Sequence, residues 1–384
     1  MFVLACSHRL PPSPTRMTFI FFPDSPPSNF APVNDRFMKP ISRRKFVRLS
    51  ALAAGVAPAV AVAGGPSNAP AALPSPPAER PPTRDSSVSS APTSDRPRPK
   101  KTTMRIGHCQ LEARCGEFET NLAKVVQGLE QADREHVEIV SFPECCLTGY
   151  PDTEAPARND AFAVDSPSMV KLLDRTRQFE ATFIVGFNEL RGADLFNTAA
   201  VIHQGRVLGT YSKCSAYHRF HRQGREFPVF ERKGVKFGIV ICSDGGYIEP
   251  ARILALKGAK IIFSPHYNYI SKEYLLTHFQ EVRADHVARA VENRVYFVRG
   301  NNVSPGRDPG IQRYEGVGYG DSYIVDPYGE IVVRSRRHHE DFIVANIDTS
   351  LASDNAWGLS KSAWSFREFG DQVAAAAAAQ SARR

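Results

Sequence analysis

The chain has 384 residues, enough for one large domain or two ordinary ones, and its composition is that of a globular protein. Its formal net charge of +8 would suit an anionic partner, but much of the excess lies near the N-terminus, in a proline-rich segment and in the final Arg383-Arg384. The sequence predicts no folded face that combines clustered Lys and Arg with interleaved aromatic residues. Nucleic-acid binding is therefore not expected.

The N-terminal region is predicted to contain an export signal. Residues 1–37 are rich in proline without periodicity, and we interpret them as a non-native or disordered leader that precedes a start at Met38. Residues 38–63 contain Ser-Arg-Arg-Lys-Phe, a short apolar run and Ala-Val-Ala, the order of a twin-arginine signal peptide. The alternative is a chance Arg-Arg pair beside an alanine-rich helix. We expect export by the twin-arginine route to the periplasm.

Residues 64–102 are predicted to be a disordered linker. Ten of the 29 prolines fall between Pro66 and Pro99, among many Ala, Ser and Arg residues. Such a segment cannot bury enough apolar surface to fold. The apolar run of the signal has only about fourteen residues, fewer than the roughly 20 that span a bilayer, so no stable membrane span is expected.

From residue 103 onward, strand and helix patterns alternate, which predicts an α/β domain with mixed sheets over 103–350 and a C-terminal extension over 351–384. Helices are predicted at 118–134, 168–180 and 274–293. Strands are predicted at 105–110, 137–142, 182–187, 195–202, 206–212, 235–241, 259–265, 295–299, 321–325, 330–334 and 342–347.

Cys242 stands where a β-branched apolar run enters a Ser-Asp-Gly-Gly turn. Nucleophiles are often presented on such a turn, where backbone N–H groups can face a ligand. A buried cysteine in a β-α-β unit explains the same pattern equally well, since free Cys is among the most buried residue types.

Of seven cysteines, Cys6 would be lost with the leader, and the other six match no zinc spacing and are expected to be mostly free thiols.

Two further strand ends carry charged residues that could assist a thiol. Glu144 follows a predicted strand in S-F-P-E-C-C, and Lys213 ends the strand G-T-Y-S-K. A thiol that opens an acyl bond needs a base and a cation or donor set for the oxyanion. Taken singly, each residue is as well explained as a solvated residue at a turn.

The ordered set of motifs resembles the carbon–nitrogen hydrolase (nitrilase) superfamily, in its amidase-like branch. The matching runs are F-P-E-C-C-L-T-G-Y-P at 142–151, V-G-F-N-E at 185–189, F-N-T-A-A-V-I at 196–202, G-T-Y-S-K at 209–213, G-I-V-I-C-S-D at 238–244, R-A-V-E-N at 289–293 and G-D-S-Y-I-V-D-P-Y-G at 320–329. The resemblance covers roughly residues 103–348. It implies a four-layer α-β-β-α sandwich, a homodimer or larger homo-oligomer, and a reaction without metal or organic cofactor.

The same resemblance implies a catalytic triad of Glu144, Lys213 and Cys242. Cys242 would attack the substrate carbon, and Glu144 would move protons and activate water. Lys213 and the backbone N–H of Ser243 would hold the oxyanion. Further pocket residues are predicted from their positions at strand ends and turns: Tyr150, Glu189, Tyr247, His266, Tyr267 and Asn268.

The segment after Lys213 departs from the family pattern. Many family amidases carry a further Glu there, whereas residues 214–224 contain no carboxylate. His218 or Arg219 occupies that neighbourhood, and we expect one of the basic side chains, His221 included, to face an anionic group of the substrate. The alternative is a solvated loop.

These features predict thiol-dependent hydrolysis of a small non-peptide amide through a Cys thioester. An N-carbamoyl or ureido amidohydrolase is the nearest alternative, followed by a nitrilase. Acyl transfer to an amine or alcohol, and a non-catalytic binding protein on the same fold, remain open. The Cys-Ser-Asp-Gly-Gly turn favours an amide over a nitrile.

Overall fold

The structure is a computed structural model that describes residues 103–304, 306–352 and 366–381. The predicted leader, signal peptide and linker, residues 1–102, lie outside the described residues. Within the described ranges, no helix is both long enough and apolar enough to cross a membrane.

Two six-stranded sheets form the centre of the described part. In the first sheet the order is β15-β1-β2-β3-β4-β5, and β1, β2 and β3 are parallel to one another. Its strands are β1 (Thr103–Gln110), β2 (Ile139–Ser141), β3 (Thr182–Arg191), β4 (Asp194–His203), β5 (Arg206–Ser212) and β15 (Asp341–Asp348).

The second sheet has the order β14-β13-β10-β8-β7-β6, with β7, β8 and β10 parallel. Its strands are β6 (Val229–Arg232), β7 (Val235–Ile239), β8 (Ile261–Pro265), β10 (Tyr296–Gly300), β13 (Tyr323–Val325) and β14 (Ile331–Arg334). A small antiparallel sheet adds β9 (Tyr269–Ser271), β11 (Val303–Ser304) and β12 (Gly316–Tyr319).

The helices lie in chain order as α1 (Phe118–Arg134), α2 (Glu154–Asn159), α3 (Pro167–Thr176), α4 (Ile248–Leu256), α5 (Leu275–Asn293) and α6 (Phe366–Ser381). A 3₁₀ helix spans Cys242–Gly246. Helix α3 begins where Pro167 takes the first helical position and the Ser166 hydroxyl accepts a hydrogen bond from Met169 N–H, an arrangement that favours a helix start.

Three apolar clusters give the layer order. One cluster packs α1 and α3 on the outer face of the first sheet, through residues such as Leu122 and Phe183. A second lies between the two sheets, and a third packs α4 and α5 on the outer face of the second sheet. Helix, sheet, sheet and helix therefore follow one another, and the strand ends that carry chemistry meet between the layers.

Most predicted elements are present with small shifts in their bounds. The predicted helix 118–134 and strand 206–212 have the observed bounds, whereas the helix predicted over 168–180 ends at Thr176 because the chain turns to bury Phe179 before β3. Helix α2 and the short strands β6, β9, β11 and β12 were not predicted. They have two to six residues each, too few for a periodic pattern.

Two glycines allow the close approaches that shape the site. A Cβ at Gly186 would lie 2.4 Å from the backbone nitrogen of Cys145, so β3 can contact the turn after β2 only with glycine there. A Cβ at Gly224 would lie 2.0 Å from the carbonyl oxygen of Ser212, where the segment after Lys213 returns against the end of β5. Both close contacts press loops against the strand ends that bear the triad.

Candidate active site

Glu144 is presented by a turn that follows β2 and is anchored on β3. Phe142 N–H donates to the Ile184 carbonyl at 2.9 Å, and Leu147 N–H donates to the Gly186 carbonyl at 3.0 Å. Cys145 takes a left-handed φ of 47°, which turns the chain sharply after the glutamate. The Glu144 side chain consequently lies between the sheets, where it is fully buried.

Lys213 forms a buried ion pair with this glutamate. Lys213 Nζ lies 2.7 Å from Glu144 Oε1, and both side chains have at most 1% of their surface exposed. Asn197 Nδ2 donates to the same Oε1 at 2.7 Å, and Tyr267 N–H donates to Oε2 at 2.8 Å. Both carboxylate oxygens therefore have donors, as a buried charge requires.

The ion pair holds Lys213 in its charged form. Burial is the largest single influence and would lower the pKa of Lys213, but the Glu144 carboxylate, together with Tyr150, Cys242 and Asp244, outweighs burial and leaves the pKa well above its usual value. The ammonium also lies over the Tyr150 ring, 5.6 Å from its centroid. Lys213 is thus a fixed positive charge in a dry site.

Cys242 begins the 3₁₀ helix with a left-handed φ of 49°. Asp244 holds this turn in place. Its Oδ2 accepts from Ile241 N–H at 2.9 Å and from the Tyr211 hydroxyl at 2.7 Å, and its Oδ1 accepts from Ser215 N–H at 2.7 Å. The nucleophile turn is therefore attached to the segment that follows Lys213.

The Cys242 thiol is protonated at rest. Burial, reinforced by the charge of Glu144, raises its pKa to about 12, while Lys213 opposes that rise. A thiol with this pKa needs a base beside it to become a nucleophile, and a hydrogen bond to Glu144 contributes to the same shift. The geometry brings base and thiol together.

The structure brings some of the predicted pocket residues to the triad and leaves others away from it. Tyr267 and Asn268 contact Glu144 and Cys242 directly, the latter through Nδ2, 3.6 Å from Cys242 Sγ. Ser243 follows the thiol, and its backbone N–H belongs to the first turn of a helix, where N–H groups have no intrahelical acceptor. Its hydroxyl donates to the Ser215 carbonyl at 2.8 Å.

Tyr150 and His218 form an aromatic wall beside Lys213. Their ring centroids are 4.9 Å apart, and the ring of His221 lies parallel to that of Tyr150, with its centroid 6.1 Å from that of Tyr150 and 6.1 Å from that of His218. Burial, followed by the charge of Lys213, lowers the pKa of His218 to about 4. His218 is therefore neutral near pH 7 and is not a cationic site for an anion there. Arg219 is exposed and forms no ion pair within the described ranges.

Glu189 and Tyr247 do not join the triad. Successive side chains of a strand point to opposite faces, and it is Asn188, paired with Asn197, that faces Glu144. Glu189 lies on the helix-facing side and forms an ion pair of 2.5 Å with Arg191. Tyr247 is half exposed at the end of the 3₁₀ helix.

His266 lies behind the site rather than in it. Its carbonyl accepts from Glu144 N–H at 3.3 Å, while its ring contacts Ser264 and His286 away from the thiol. Burial lowers its pKa well below the usual value, so the ring is neutral.

The sequence reasoning missed Asn197 and Arg299. Asn197 lies in the run F-N-T-A-A-V-I, and alternation along β4 would have placed it on the face of Glu144. Arg299 is the one charged residue in a strand whose five residues are all buried, and a buried arginine is unusual.

In the described ranges, no cluster of three or more His, Cys, Asp or Glu side chains is placed to hold a metal, and the six cysteines are free thiols.

A partly accessible thiol, a buried carboxylate and a buried lysine therefore lie together at three strand ends between the two sheets of a layered α/β fold. The carbon–nitrogen hydrolase family profile matches residues 105–355, and the chain belongs to this family.

Comparison with known proteins gives relatives with different activities. The chain is 29% identical over 260 residues to the glutamine-dependent NAD(+) synthetase of Thermotoga maritima, a match over 64% of this chain and 42% of the synthetase. The chain therefore spans about two-fifths of that relative's length. It is 28% identical over 257 residues to the nitrilase of Pyrococcus abyssi, covering 65% of this chain and 91% of the nitrilase.

Among solved structures, an amidase of Nesterenkonia AN1 from the nitrilase superfamily has the same fold. The TM-score is 0.55 at 20% identity, over 66% of this chain and 94% of the amidase. This likeness supports the mixed α/β fold, and the family match supports a hydrolase of the nitrilase superfamily.

Proposed function

We propose that the protein hydrolyses a small non-peptide amide through a thioester on Cys242. The observation that carries this proposal is the buried Glu144–Lys213 ion pair beside a thiol held at a left-handed turn. A buried ion pair is weak as a source of stability, because the cost of desolvating both charges offsets their attraction. Its location at the nucleophile turn favours a catalytic role.

The proposed chemistry follows from these positions. Glu144 takes the thiol proton while Cys242 Sγ forms a bond to the amide carbon. Lys213 Nζ and the Ser243 N–H face the developing oxyanion, a stabilisation of about 3 kcal/mol per donor in comparable sites. The proton on Glu144 then passes to the leaving amine as the C–N bond breaks. Glu144 next removes a proton from water, whose oxygen attacks the thioester carbon. The C–S bond then breaks, the acid is released, and the proton on Glu144 returns to the Cys242 sulfur.

The test is product release by the full chain across amides, N-carbamoyl compounds and nitriles. We expect ammonia from small amides, with an acyl adduct detected in the intact mass of the wild type and absent in Cys242→Ala. Cys109→Ala is the matched control, because Cys109 is also a free thiol but lies on β1, packed toward α1. Product that forms only with an added amine would indicate acyl transfer instead. Tight binding without turnover would contradict the enzyme proposal.

An anionic group on the substrate is supported by the basic segment after Lys213. Arg219, Arg222 and Arg225 line one exposed cavity with His218 and His221. The Arg222 guanidinium is paired with Asp194 at 2.9 Å, whereas Arg219 has no such partner in the described ranges. This favours a carboxylated amide or an N-carbamoyl amino acid as the substrate class.

Arg219→Ala tests this substrate class. We expect kcat/KM for a carboxylated amide to fall about tenfold relative to a neutral amide of the same size, the loss typical of one charged hydrogen bond. Arg222→Ala is the control, because its charge is already paired, and it should leave the ratio unchanged. An unchanged ratio in Arg219→Ala would remove the anionic group from the proposal.

We also propose a homo-oligomer. Helices α4 and α5 contact each other and expose several large apolar side chains, namely Ile248, Leu256, Tyr274, Leu276 and Val291. Sedimentation of the full chain should show a dimer or larger species that Leu276→Asp dissociates. Val170→Asp, an exposed position on α3, should leave the assembly intact.

Export by the twin-arginine route is proposed from the sequence of residues 38–63, which lie outside the described residues. Fractionation of a Gram-negative host should find the protein in the periplasm, and the double substitution Arg43→Lys with Arg44→Lys should retain it in the cytoplasm. Arg48→Lys, outside the pair, should not. Equal distribution of all three would contradict the proposal.

A further inference from the structure

Arg299 is a buried cation whose role the triad does not explain. It lies on β10 in the second sheet with 1% of its surface exposed, among the largest fully buried side chains of the described ranges. A guanidinium stays charged in proteins, and burying it is costly unless it is paired. Within the described ranges, however, no carboxylate forms an ion pair with Arg299.

All polar partners of Arg299 are neutral. Its NH1 group donates to the carbonyls of Gly320 and Asp321 at 3.1 and 3.0 Å. Its NH2 group donates to Asn268 Oδ1 at 2.6 Å and to the Tyr319 hydroxyl at 2.8 Å. The guanidinium also lies over the rings of Tyr319 and Tyr323. The positive charge is thus fixed in place without being neutralised.

The Asp321 carboxylate is bonded to other cations. Asp321 offers Arg299 only its backbone carbonyl, and its side chain pairs with Arg283 at 2.9 Å and with Arg337 at 3.1 Å. The Asp321 carboxylate therefore does not neutralise the charge of Arg299, which can act on groups inside the site. Three buried histidines, His108, His266 and His286, and the partly buried His278 have lowered pKa values, chiefly through burial and in part through the charge of Arg299.

Arg299 also determines which edge of the Asn268 amide faces the thiol. Because Asn268 Oδ1 accepts from the guanidinium, Nδ2 must point the other way, and it lies 3.6 Å from Cys242 Sγ. A flipped amide would set its NH₂ group against the Arg299 cation. The Asn268 backbone is held as well, since its N–H donates to Asn301 Oδ1 at 3.0 Å.

We propose that Asn268 is a catalytic residue whose amide donates a hydrogen bond to the Cys242 sulfur as it becomes negative, and that Arg299 is the positioning residue that orients and polarises this amide. The inference rests on the proposed role of Cys242 as the nucleophile. When Glu144 takes the thiol proton, the sulfur faces two cations, Lys213 on one side and the Arg299–Asn268 unit on the other. Charge on sulfur is then stabilised by both sheets.

The groups that act on the Cys242 thiol come from several elements. Glu144 and Lys213 act from the first sheet, and Arg299 acts from β10. Tyr150 and Tyr319, also in the electrostatic range of the thiol, have raised pKa values and stay neutral below the alkaline range. Among these groups, only Lys213 and Arg299 lower the pKa of Cys242.

The test measures the reactivity of Cys242 without any substrate. The full chain is treated with methyl methanethiosulfonate, a small neutral reagent that has no amide, and the modification of each cysteine is followed by mass spectrometry across the alkaline range. We expect Asn268→Ala and Arg299→Met to slow the modification of Cys242 about tenfold and to shift its pH profile upward, the factor expected for loss of a hydrogen bond to a charged group. Cys214, in the same molecule, is the internal reference.

Two further variants test whether Asn268 and Arg299 act specifically on the Cys242 thiol or only support the local structure. Asn302→Ala, a buried asparagine just beyond β10, is the matched control and should leave the Cys242 profile unchanged. The double variant Asn268→Ala/Arg299→Met should be no slower than Arg299→Met alone, because that single substitution removes both the direct charge of Arg299 and its hold on the Asn268 amide.

Several outcomes would overturn the proposal. An unchanged profile in Asn268→Ala would do so even if Arg299→Met failed to fold. Faster modification at every cysteine would indicate general loosening and would also overturn it, as would fully additive effects in the double variant. Absence of amide turnover in the wild type would contradict the proposed function but leave this thiol measurement valid.

Discussion

The turns after β2 and β7 each place a cysteine in the left-handed region, and only one of them has the surroundings of a nucleophile. Cys145 has φ 47° and Cys242 has φ 49°. Both conformations are unfavourable for a residue with a side chain and cost on the order of 1 kcal/mol or more. Backbone geometry alone therefore does not distinguish the two thiols.

Their neighbours do distinguish them. Cys145 Sγ donates weakly to Asn188 Oδ1 at 3.6 Å and is completely buried, and burial raises its pKa well above the usual value. Cys242 Sγ instead accepts from Asn268 and is partly accessible, while both thiols are influenced by the charges of Glu144 and Lys213. In the first turn the left-handed residue serves to direct the preceding glutamate, and in the second it presents its own side chain.

The largest contrast is expected from removing each thiol. Cys242→Ala should lower kcat for amide hydrolysis by about 10³-fold or more, as removal of a covalent nucleophile does. Cys145→Ala should leave kcat within about tenfold and lower the melting temperature modestly, because its thiol only fills space. Steady-state ammonia release and thermal unfolding of both variants provide the comparison. Equal losses of activity would show that the two turns are not functionally distinct.

The Glu144–Lys213 pair links the two turns, and its removal should separate activity from stability. Glu144→Gln should lower kcat by about 10²- to 10⁴-fold through loss of the base. It should also lower the free energy of unfolding by about 3 to 5 kcal/mol, because the Lys213 charge is left buried without a partner.

The double variant Glu144→Gln/Lys213→Met is the control. It should recover much of the stability, since no uncompensated charge remains, but none of the activity. Urea unfolding and ammonia release measure the two effects. Recovery of activity in the double variant would contradict a catalytic role for the pair.

The residues that hold the two turns by hydrogen bonds, Asp244 and Asn188, should differ in how much their substitution lowers kcat, with smaller effects than those above. Asp244 accepts hydrogen bonds around the Cys242 turn, so Asp244→Asn places an NH₂ group against at least one donor and should lower kcat about tenfold to hundredfold. Asn188 holds the Cys145 turn through Thr148 and Gly149, so Asn188→Ala should cost about 1 to 3 kcal/mol of stability with less effect on kcat. The same loss of kcat in both variants would show that Asp244 and Asn188 do not differ in their effect on catalysis.

The strands of the first sheet and the strand-end positions of Glu144, Lys213 and Cys242 could be predicted from the sequence, because strands and their motifs are local patterns. Alternating apolar residues predict β1 to β5, and the motif order places Glu144, Lys213 and Cys242 at separate strand ends. Whether those ends meet depends on how two sheets pack, which no single segment specifies.

The predicted pocket residues that lie away from the triad, and the residues that were not predicted, have the same kind of cause. Glu189 and Asn188 are adjacent in sequence, and the pleat of β3 decides which one faces the site, so a one-residue error reverses the prediction. Arg299 and Asn268 are 31 positions apart, and their hydrogen bond exists only because β8 and β10 are neighbours in the sheet. Short strands such as β9 and β12 carry too few residues to be recognised.

A loss of stability in acid is expected at the aromatic wall that follows the Cys145 turn, where His218 packs on Tyr150. Burial and the charges of Lys213 and Arg313 lower the folded-state pKa of His218 to about 4 from 6.5, with Asp152 opposing. Above pH 6.5 both states are neutral and pH has no effect through this group. As the pH falls from 6.5 toward 4, the unfolded state binds a proton that the folded state does not, so stability decreases.

His218→Phe keeps a stacking ring and removes this titration. The free energy of unfolding of the wild type should therefore fall more steeply with acid than that of the variant, by up to roughly 3 kcal/mol near the lower pH limit. Urea unfolding at several pH values measures the difference, and it cancels the contribution of the other buried histidines, which both proteins share. Parallel curves would mean that His218 becomes protonated in the folded protein, and the wall beside Lys213 would then carry a cation, unlike the surroundings of Cys145.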